Sequence, residues 1–321
     1  MARDEETCRR LAAIEGVTVG RDVPMSGYTR FGIGGPADVL VESADAGAFL
    51  KALVIARASG LDTVVVGDGT NLIVSDAGFR GVALRLRAAG ISAAGTRVIV
   101  ESGATLQALV DFSVEHGLKG LETMTGIPGS VGAAIYGNAG AYGHSIMERV
   151  DRVVFHDGTH LREFGNAECG FRYRESLFKR HKEWVVVLAE LQMEAGDATE
   201  LAATSAKILD IRNKKYPPTM KCAGSIFKNL LLADLPERIA RQLPPNAIIE
   251  GKVPSAWFLE QVGAKGMREG DIQVATYHAN LIYNDGAGTA SDLVKVIACL
   301  KARVQDRFGL EIEEEVQYVG F

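Results

Sequence analysis

The sequence predicts an α/β or α+β protein of more than one domain. Three observations carry this. Short β-branched runs alternate with amphipathic helical stretches. The length of 321 residues exceeds what one core usually organises. The character of the chain changes near Asp151 and again near Lys221. In the first part, a helix is expected over 45–57, with Phe49, Leu50, Leu53, Val54 and Arg57 at helical spacing and Gly60 placed to end it. Strands are expected over 64–66 and 98–100. Residues 106–116 set Leu106, Leu109, Val110 and Val114 on one helical face, with Gly117 as the stop. In the middle part, 153–155 and 184–188 read as strands, and 199–211 as a helix broken by Tyr216-Pro217-Pro218. In the last part, Ser255 is expected to cap a short helix carrying Trp257, Phe258 and Leu259. Ser291 is expected to cap a longer one with Leu293, Val296, Ile297, Leu300 and Val304 on a single stripe, ending before Gly309. Residues 230–253 lack periodicity and read as an insertion or a mobile loop.

Composition narrows the function classes. Hydrophobic residues make up 47% and charged residues 23%, as in ordinary globular proteins. The net charge of −5 gives no electrostatic case for nucleic acid. The start, Met1-Ala2-Arg3-Asp4-Glu5-Glu6, is charged and lacks the apolar centre of a signal peptide. No apolar run reaches the ~18 residues of a spanning helix. A soluble, cytoplasmic protein without membrane insertion is expected. Cys8, Cys169, Cys222 and Cys299 lack metal-type spacing, so neither a metal site nor a disulfide frame is expected, and most read as buried thiols.

Two glycine-rich segments stand out. The first, Gly67-Asp68-Gly69-Thr70-Asn71, follows an apolar triplet. It lacks the Lys-Ser/Thr of a P-loop and the third glycine of a G-x-G-x-x-G fingerprint. Alone it reads equally as a tight strand–loop connection. The second, Gly126-Ile127-Pro128-Gly129-Ser130-Val131-Gly132, runs on to Gly137-Asn138-Ala139-Gly140-Ala141-Tyr142-Gly143. Glycine at this density sacrifices chain entropy without building core. Its bare main-chain N–H groups form nests suited to a diphosphate. Two such segments point to a large phosphate-bearing ligand.

Polar groups cluster in three more places. Phe171-Arg172-Tyr173-Arg174-Glu175-Ser176 sets two guanidinium groups beside an aromatic ring, and arginine suits a carboxylate. Ala223-Gly224-Ser225-Ile226-Phe227-Lys228-Asn229 puts a hydroxyl after an open glycine. Residues 311–316 carry four carboxylates and alternate about Ile312 and Val316 as a strand would.

In order, the chain reads Y-T-R-F-G-I-G-G-P-A from Tyr28, G-D-G-T-N-L-I-V-S-D from Gly67, G-I-P-G-S-V-G from Gly126 and N-A-G-A-Y-G from Asn138. Y-R-E-S follows from Tyr173, A-G-S-I-F-K-N from Ala223, G-A-K-G from Gly263 and E-V-Q-Y-V-G from Glu315. This succession resembles the UDP-N-acetylenolpyruvoylglucosamine reductase (MurB) family over nearly the whole chain. The resemblance implies an α+β protein: a two-lobed FAD-binding domain of the vanillyl-alcohol-oxidase (PCMH) type plus a separate α+β substrate-binding domain. The implied divisions are 1–66 for the first FAD lobe, 67–211 for the second and 212–315 for the substrate domain, with a strand over 316–321 returning to the first lobe.

The activity so implied is that of a flavoenzyme with FAD as cofactor and NADPH as hydride donor. It reduces the enolpyruvyl group of UDP-GlcNAc-enolpyruvate to give UDP-N-acetylmuramate for peptidoglycan synthesis, with no obligate protein partner. FAD contacts are implied for Gly67, Asp68, Gly69, Thr70, Asn71, Gly126, Ile127, Pro128, Gly129, Ser130, Gly132, Ala133, Asn138 and Gly143. Arg174 matches the catalytic arginine that neutralises the developing enolate, Ser225 the proton donor and Glu315 the assisting glutamate. Tyr173, Arg212, Lys215, Lys228, Asn229, Lys265 and His278 match substrate contacts. Arg212 and Lys215 also read as an ordinary basic helix end. Ala133 departs from a commoner glycine, Thr70 from serine and Leu230 from proline. The short span from Ser176 to Arg212 implies the subtype without a substrate-capping tyrosine loop. The alternatives are another FAD oxidoreductase of the same fold with a different substrate, and a nucleotide-sugar-binding protein without catalysis.

Overall fold

The structure, a computed structural model, describes residues 2–321. The side chains of residues 2–4 fall outside the description, and with Met1 they make up most of the charged start noted above. The chain forms two compact units. The first takes in the chain up to Val23, Ala37–Asp68 and Arg80–Pro217; the second takes in Pro24–Pro36, Gly69–Phe79 and Pro218–Phe321.

The first unit is built on two larger sheets, each with its own core. One has the strand order Val17–Pro24, Pro36–Ser43, Phe79–Leu86, Asp62–Val65, the last two parallel. The helix Ala46–Ala58 covers it. Asp45 starts this helix by accepting a hydrogen bond from the Ala48 N–H at 2.6 Å. Phe49, Ala52, Leu53 and Ala56 pack with Val39, Val41, Val82 and Leu84. Val54 was expected on that face but is exposed, because one residue past Leu53 the helix has turned about 100° off the buried stripe.

The other sheet is antiparallel throughout, in the order Leu161–Gly165, Val150–His156, Val185–Gln192, Arg97–Glu101, Ile91–Ala94. The helices Leu106–Glu115 and Val131–Tyr136 bury Leu109, Val110, Val131 and Ile135 with its Val98, Val100 and Val153. Phe155 meets the rings of Phe164, Trp184 and Phe178 at 4.7, 4.8 and 5.2 Å. The helix Ala198–Lys215, begun by the Asp197 carboxylate, runs four residues past its expected end and stops at Tyr216, before the proline pair. The span between Ser176 and this helix is filled by the helix Leu177–Arg180 and the strands Val185–Gln192 and Glu194–Ala195.

The second unit is built on an antiparallel sheet in the order Lys221–Ser225, Leu281–Asn284, Ile272–Val274, Arg268–Glu269. The helix Ala290–Phe308 packs its stripe of Leu293, Val296, Ile297, Leu300 and Val304 with Ile226, Phe227, Phe258 and Leu259. Neither serine caps its helix as expected. Thr289 caps the long helix in a reciprocal box with Asp292, and Ser291 sits inside it. The Asp76 carboxylate reinforces that end, accepting from the N–H groups of Ala290 and Ser291 at 2.8 and 2.9 Å and from the Ser291 hydroxyl at 2.6 Å. Ser255 is the first helical residue after Pro254, and its buried hydroxyl donates to the Lys228 carbonyl.

Residues 230–253 are folded onto the core rather than looped out. Leu230–Leu231 pairs with Lys252–Val253, the helix Glu237–Ala240 lies between them, and Leu235, Ile239 and Leu243 are buried. Each element is too short to show a period. The expected divisions at 67 and 212 are contiguous in sequence, whereas the compact units are not. Phe31, Ile33 and Ile73 belong to the core of the second unit. The strand Gln317–Val319 runs parallel to Leu72–Val74 rather than joining the four-stranded sheet of the first unit, and this buries Ile73, Val74 and Val319. Cys169 and Cys222 are buried, Cys8 half-buried and Cys299 exposed. Burial pushes the Cys169 thiol up to about 12. No helix among the described residues is long and apolar enough to cross a membrane.

Candidate functional site

In the first unit the second glycine segment, the turn at Tyr173-Arg174 and the end of the helix Ala198–Lys215 come together. Several glycines here serve close packing. A Cβ on Gly132 would lie 2.9 Å from that of Ser102, and one on Gly67 would lie 2.9 Å from the Ser130 hydroxyl. One on Gly126, whose φ is +76°, would meet Leu209 Cδ1 at 3.1 Å and Arg212 Cδ at 3.2 Å. Gly126 therefore lets Arg212 lie across the loop. Gly143 and Tyr142 form the two-residue turn of a small hairpin, both with positive φ, which the type I′ geometry demands. The entropy sacrificed at these positions thus does build structure, contrary to the reading from density alone.

Ser130 caps the helix Val131–Tyr136, accepting from the Ala133 N–H at 3.3 Å. Ala133 is an exposed helical residue, so its Cβ is accommodated. Ile127 packs against the core of the second sheet. Asn138 is buried with a φ of +42°. Its Oδ1 accepts from the Met147 N–H at 3.3 Å, and its Nδ2 donates to the Arg172 carbonyl at 2.8 Å. Asp68 pairs with Arg85 at 2.7 Å, and Arg85 pairs with Glu42 at 3.1 Å.

Arg174 occupies a tight turn in which Arg172 and Glu175 exchange both backbone hydrogen bonds, at 2.9 and 3.1 Å. Its φ of +56° is left-handed, an uncommon setting for a residue with a side chain. Several contacts hold it. Its Nη2 donates to the Gly140 carbonyl at 2.8 Å, its guanidinium carbon sits 5.3 Å from the Tyr173 ring centre, and Lys179 Nζ donates to its carbonyl at 3.0 Å. Tyr173 and Arg174 are thereby seated against the glycine segment. Arg212 and Lys215 both lie over the Tyr216 ring, at 5.7 and 5.1 Å.

In the second unit the sheet brings Asn71, Ser225, Lys228 and Glu315 together. The strand Lys221–Ser225 pairs Cys222 with Tyr283 and then Ser225 with Leu281, so Ala223 and Gly224 oppose a single residue. Gly224, with φ +75°, makes this bulge. Past it, Ile226–Lys228 pairs on its other side with 313–315. The Glu315 N–H donates to the Ile226 carbonyl at 2.7 Å, and the Lys228 N–H donates to the Glu313 carbonyl at 2.9 Å. Asn71 Nδ2 donates to the Glu315 carbonyl at 3.0 Å, and the Gln317 N–H donates to the Asn71 carbonyl at 2.9 Å. Glu315 thus faces Ile226, the residue after Ser225. The four terminal carboxylates now separate. Glu311 is exposed, Glu313 pairs with Lys228 at 2.5 Å, and Glu314 pairs with Lys301 at 2.8 Å.

Gly69 and Thr70 enter this unit beside Tyr28. The Arg30 N–H donates to the Gly69 carbonyl at 3.2 Å. Asn229 Oδ1 accepts from the Ser255 N–H at 3.4 Å, and His278 Nδ1 accepts from the Asn280 N–H at 3.2 Å. Lys265 is exposed and pairs with Glu260 at 2.8 Å. Two residues of this unit escaped sequence reasoning. Asp76 is the last letter of the motif from Gly67, and Asn280 is a buried amide inside an apolar run, which was the available signal.

An FAD diphosphate calls for main-chain donors with no acceptor of their own. Gly129 adopts φ +117°, a conformation that side chains rarely take. The N–H groups of Gly129 and Ser130 meet no acceptor among the described residues. Two adjacent, uncharged main-chain donors at a glycine turn suit such an anion, so the residues fit.

A family profile described as "UDP-N-acetylenolpyruvoylglucosamine reductase, C-terminal domain" matches residues 216–319, and one described as "FAD binding domain" matches 37–162. The chain is similar to the UDP-N-acetylenolpyruvoylglucosamine reductase of Solibacter usitatus, with 62% identity over 97% of this chain and 100% of the relative. The reductase of Rubrobacter xylanophilus is 36% identical over 93% of this chain and 94% of its own. Among solved structures, the reductase (MurB) of Thermus caldophilus superposes with a TM-score of 0.73 and 28% identity, covering 94% of this chain and 99% of the other. Its mixed fold, its donor set and this full-length likeness establish that the chain belongs to the UDP-N-acetylenolpyruvoylglucosamine reductase family.

Proposed function

We propose that this chain is an FAD-dependent, NADPH-consuming reductase of the cytoplasm. It converts the enolpyruvyl ether of UDP-GlcNAc-enolpyruvate to the lactyl ether of UDP-N-acetylmuramate, for peptidoglycan synthesis. The observation that supports the reading is the backbone pairing of 226–228 with 313–315, in which the Glu315 N–H donates to the carbonyl of Ile226, the residue after Ser225, at 2.7 Å. In this reading the first unit carries the cofactor and the second the acid groups.

When bound, FAD supplies the hydride relay from NADPH to the enolpyruvyl double bond. The chain does the rest. The main-chain donors of Gly129 and Ser130 hold the diphosphate. Hydride addition conjugate to a carboxylate builds negative charge on that carboxylate and on the adjacent carbon. Arg174, held rigid by its turn and by the Gly140 carbonyl, offsets that charge. The Ser225 hydroxyl delivers the proton to the carbanion carbon, and Glu315 holds the substrate carboxylate or assists that delivery. Tyr173, Arg212, Lys215, Lys228, Asn229, Lys265 and His278 orient the nucleotide sugar, the cations facing its diphosphate.

The test follows the flavin's visible absorption without oxygen. NADPH should bleach the purified protein, and UDP-GlcNAc-enolpyruvate should restore the colour. Ser225→Ala should bleach normally and recolour about 100-fold or more slowly. A wild-type protein that bleaches and never recolours supports instead a flavin oxidoreductase for another substrate.

A further inference from the structure

We propose that Asn280 is a positioning residue, whose side-chain amide fixes the register in which Ser225 presents its hydroxyl. This rests on the proposed reading of Ser225 as proton donor.

Three observations lead there. The bulge at Ala223-Gly224 takes the chain out of regular pairing just where Ser225 stands. Beyond it, no strand residue lies opposite Phe227 on the side facing Leu281–Asn284. Asn280 fills that place with its side chain: the Phe227 N–H donates to Oδ1 at 2.9 Å, and Nδ2 donates to the Phe227 carbonyl at 2.8 Å. Its own carbonyl accepts from the Ile226 N–H at 3.2 Å, and its N–H donates to His278 Nδ1 at 3.2 Å. The amide is 2% exposed, so water does not compete for these bonds.

The geometry has a consequence for catalysis. Residues 226–228 are gripped on one edge by Asn280 and on the other by 313–315. The second grip fixes Glu315 against Ile226, and the first fixes Ile226 and Phe227 against the sheet. Without the amide, the Phe227 N–H and carbonyl both lose their partner on that edge, and the bulge keeps only the Ser225–Leu281 pairing and the bond from the Ile226 N–H to the Asn280 carbonyl to hold its register. Ser225 stands two residues before Phe227, with only Ile226, bonded to the Asn280 main-chain carbonyl, between them. A hydroxyl acting as a proton donor tolerates little displacement, since a misplacement near 1 Å slows such steps about 100-fold.

Ala, Asp and Ser225→Ala variants of the FAD-loaded enzyme test the proposal. Asn280→Ala should leave bleaching by NADPH within about twofold and slow recolouring by UDP-GlcNAc-enolpyruvate about 10- to 100-fold. Asn280→Asp keeps the acceptor for the Phe227 N–H but turns a buried acceptor oxygen onto the Phe227 carbonyl, so it should slow recolouring at least as much as Asn280→Ala. In a Ser225→Ala background, Asn280→Ala should add less than about a twofold further loss, because its effect passes through the missing hydroxyl. A full multiplicative loss in that background overturns the proposal, as does equal slowing of both halves or no slowing. If neither Asn280 variant folds with flavin bound, the residue serves folding alone and the proposal fails. Failure of the wild type to recolour is a different result, and it removes the proposed function itself.

Discussion

Gly69→Ala separates two readings of the first glycine turn. Gly69 has φ +61°, and a Cβ there would lie 1.7 Å from the Tyr28 carbonyl oxygen, with the Thr29 Cα at 3.1 Å. These are backbone atoms, so no rotamer relieves the overlap. A left-handed residue with a Cβ costs roughly 1–2 kcal/mol. Displacing the neighbouring chain adds about 1–3 kcal/mol, and losing the bond from the Arg30 N–H to the Gly69 carbonyl adds about 1 kcal/mol. The sum is about 3–6 kcal/mol. Gly263 gives the control, because it has φ +70° in the same unit with nothing within 4 Å. There only the backbone term of about 1–2 kcal/mol remains. Urea unfolding followed by circular dichroism, on protein stripped of flavin, should place Gly69→Ala at least about 2 kcal/mol below Gly263→Ala. If the glycine exists to admit the cofactor rather than Tyr28, the stripped variants will be equally stable and only flavin affinity will fall. That result refutes the packing argument.

Other predictions concern charges. Asp76→Ala should destabilise the second unit by about 1–2 kcal/mol through loss of a helix cap. Burial pushes the Asp76 carboxyl up, but the Ser291 hydroxyl and the N–H groups of Ala290 and Ser291 outweigh it and hold it below the ordinary value. A lowered value means the contribution is present at neutral pH and lost as pH falls. The stability gap between wild type and variant should therefore shrink below about pH 4; a gap that widens there contradicts the capping role. Glu315→Gln should slow recolouring and spare bleaching. Glu313→Gln should do little, because the Glu313 side chain is 71% exposed and glutamine keeps an acceptor oxygen for the buried Lys228 ammonium. A severe defect from Glu313→Gln alone would show that the terminal strand has been read in the wrong register.

Long periodic elements were legible in the sequence, and local choices were not. The helices Ala46–Ala58 and Leu106–Glu115 follow their apolar spacing, and Asp45 and Thr105 cap them from one residue ahead. Ser255 and Ser291 misled because a cap is defined by backbone conformation. Thr289 with Asp292 forms a better box two residues earlier, and Pro254 takes the other position. Residues 230–253 showed no period because no element there exceeds four residues. Of the candidate site, the motifs picked out Ser225, Glu315 and Arg174. They did not disclose that Gly67, Gly126 and Gly132 accommodate neighbouring chain. Nor did they disclose that Asn280 replaces a strand partner, since side chain-to-backbone bonds between distant segments leave no local pattern.

The discontinuity of the second unit bears on the order of events at the ribosome. Phe31, Ile33 and Ile73 are synthesised long before Pro218–Phe321, the stretch with which they share a core. Until the helix Ala290–Phe308 emerges, Asp76 has no amide groups to cap, and until Gln317–Val319 follows, Leu72–Val74 has no parallel neighbour. These early segments must wait as exposed apolar chain, a natural substrate for a chaperone. A fragment spanning only 216–319 would lack them altogether, so the region recognised by the family profile falls short of an autonomous folding body.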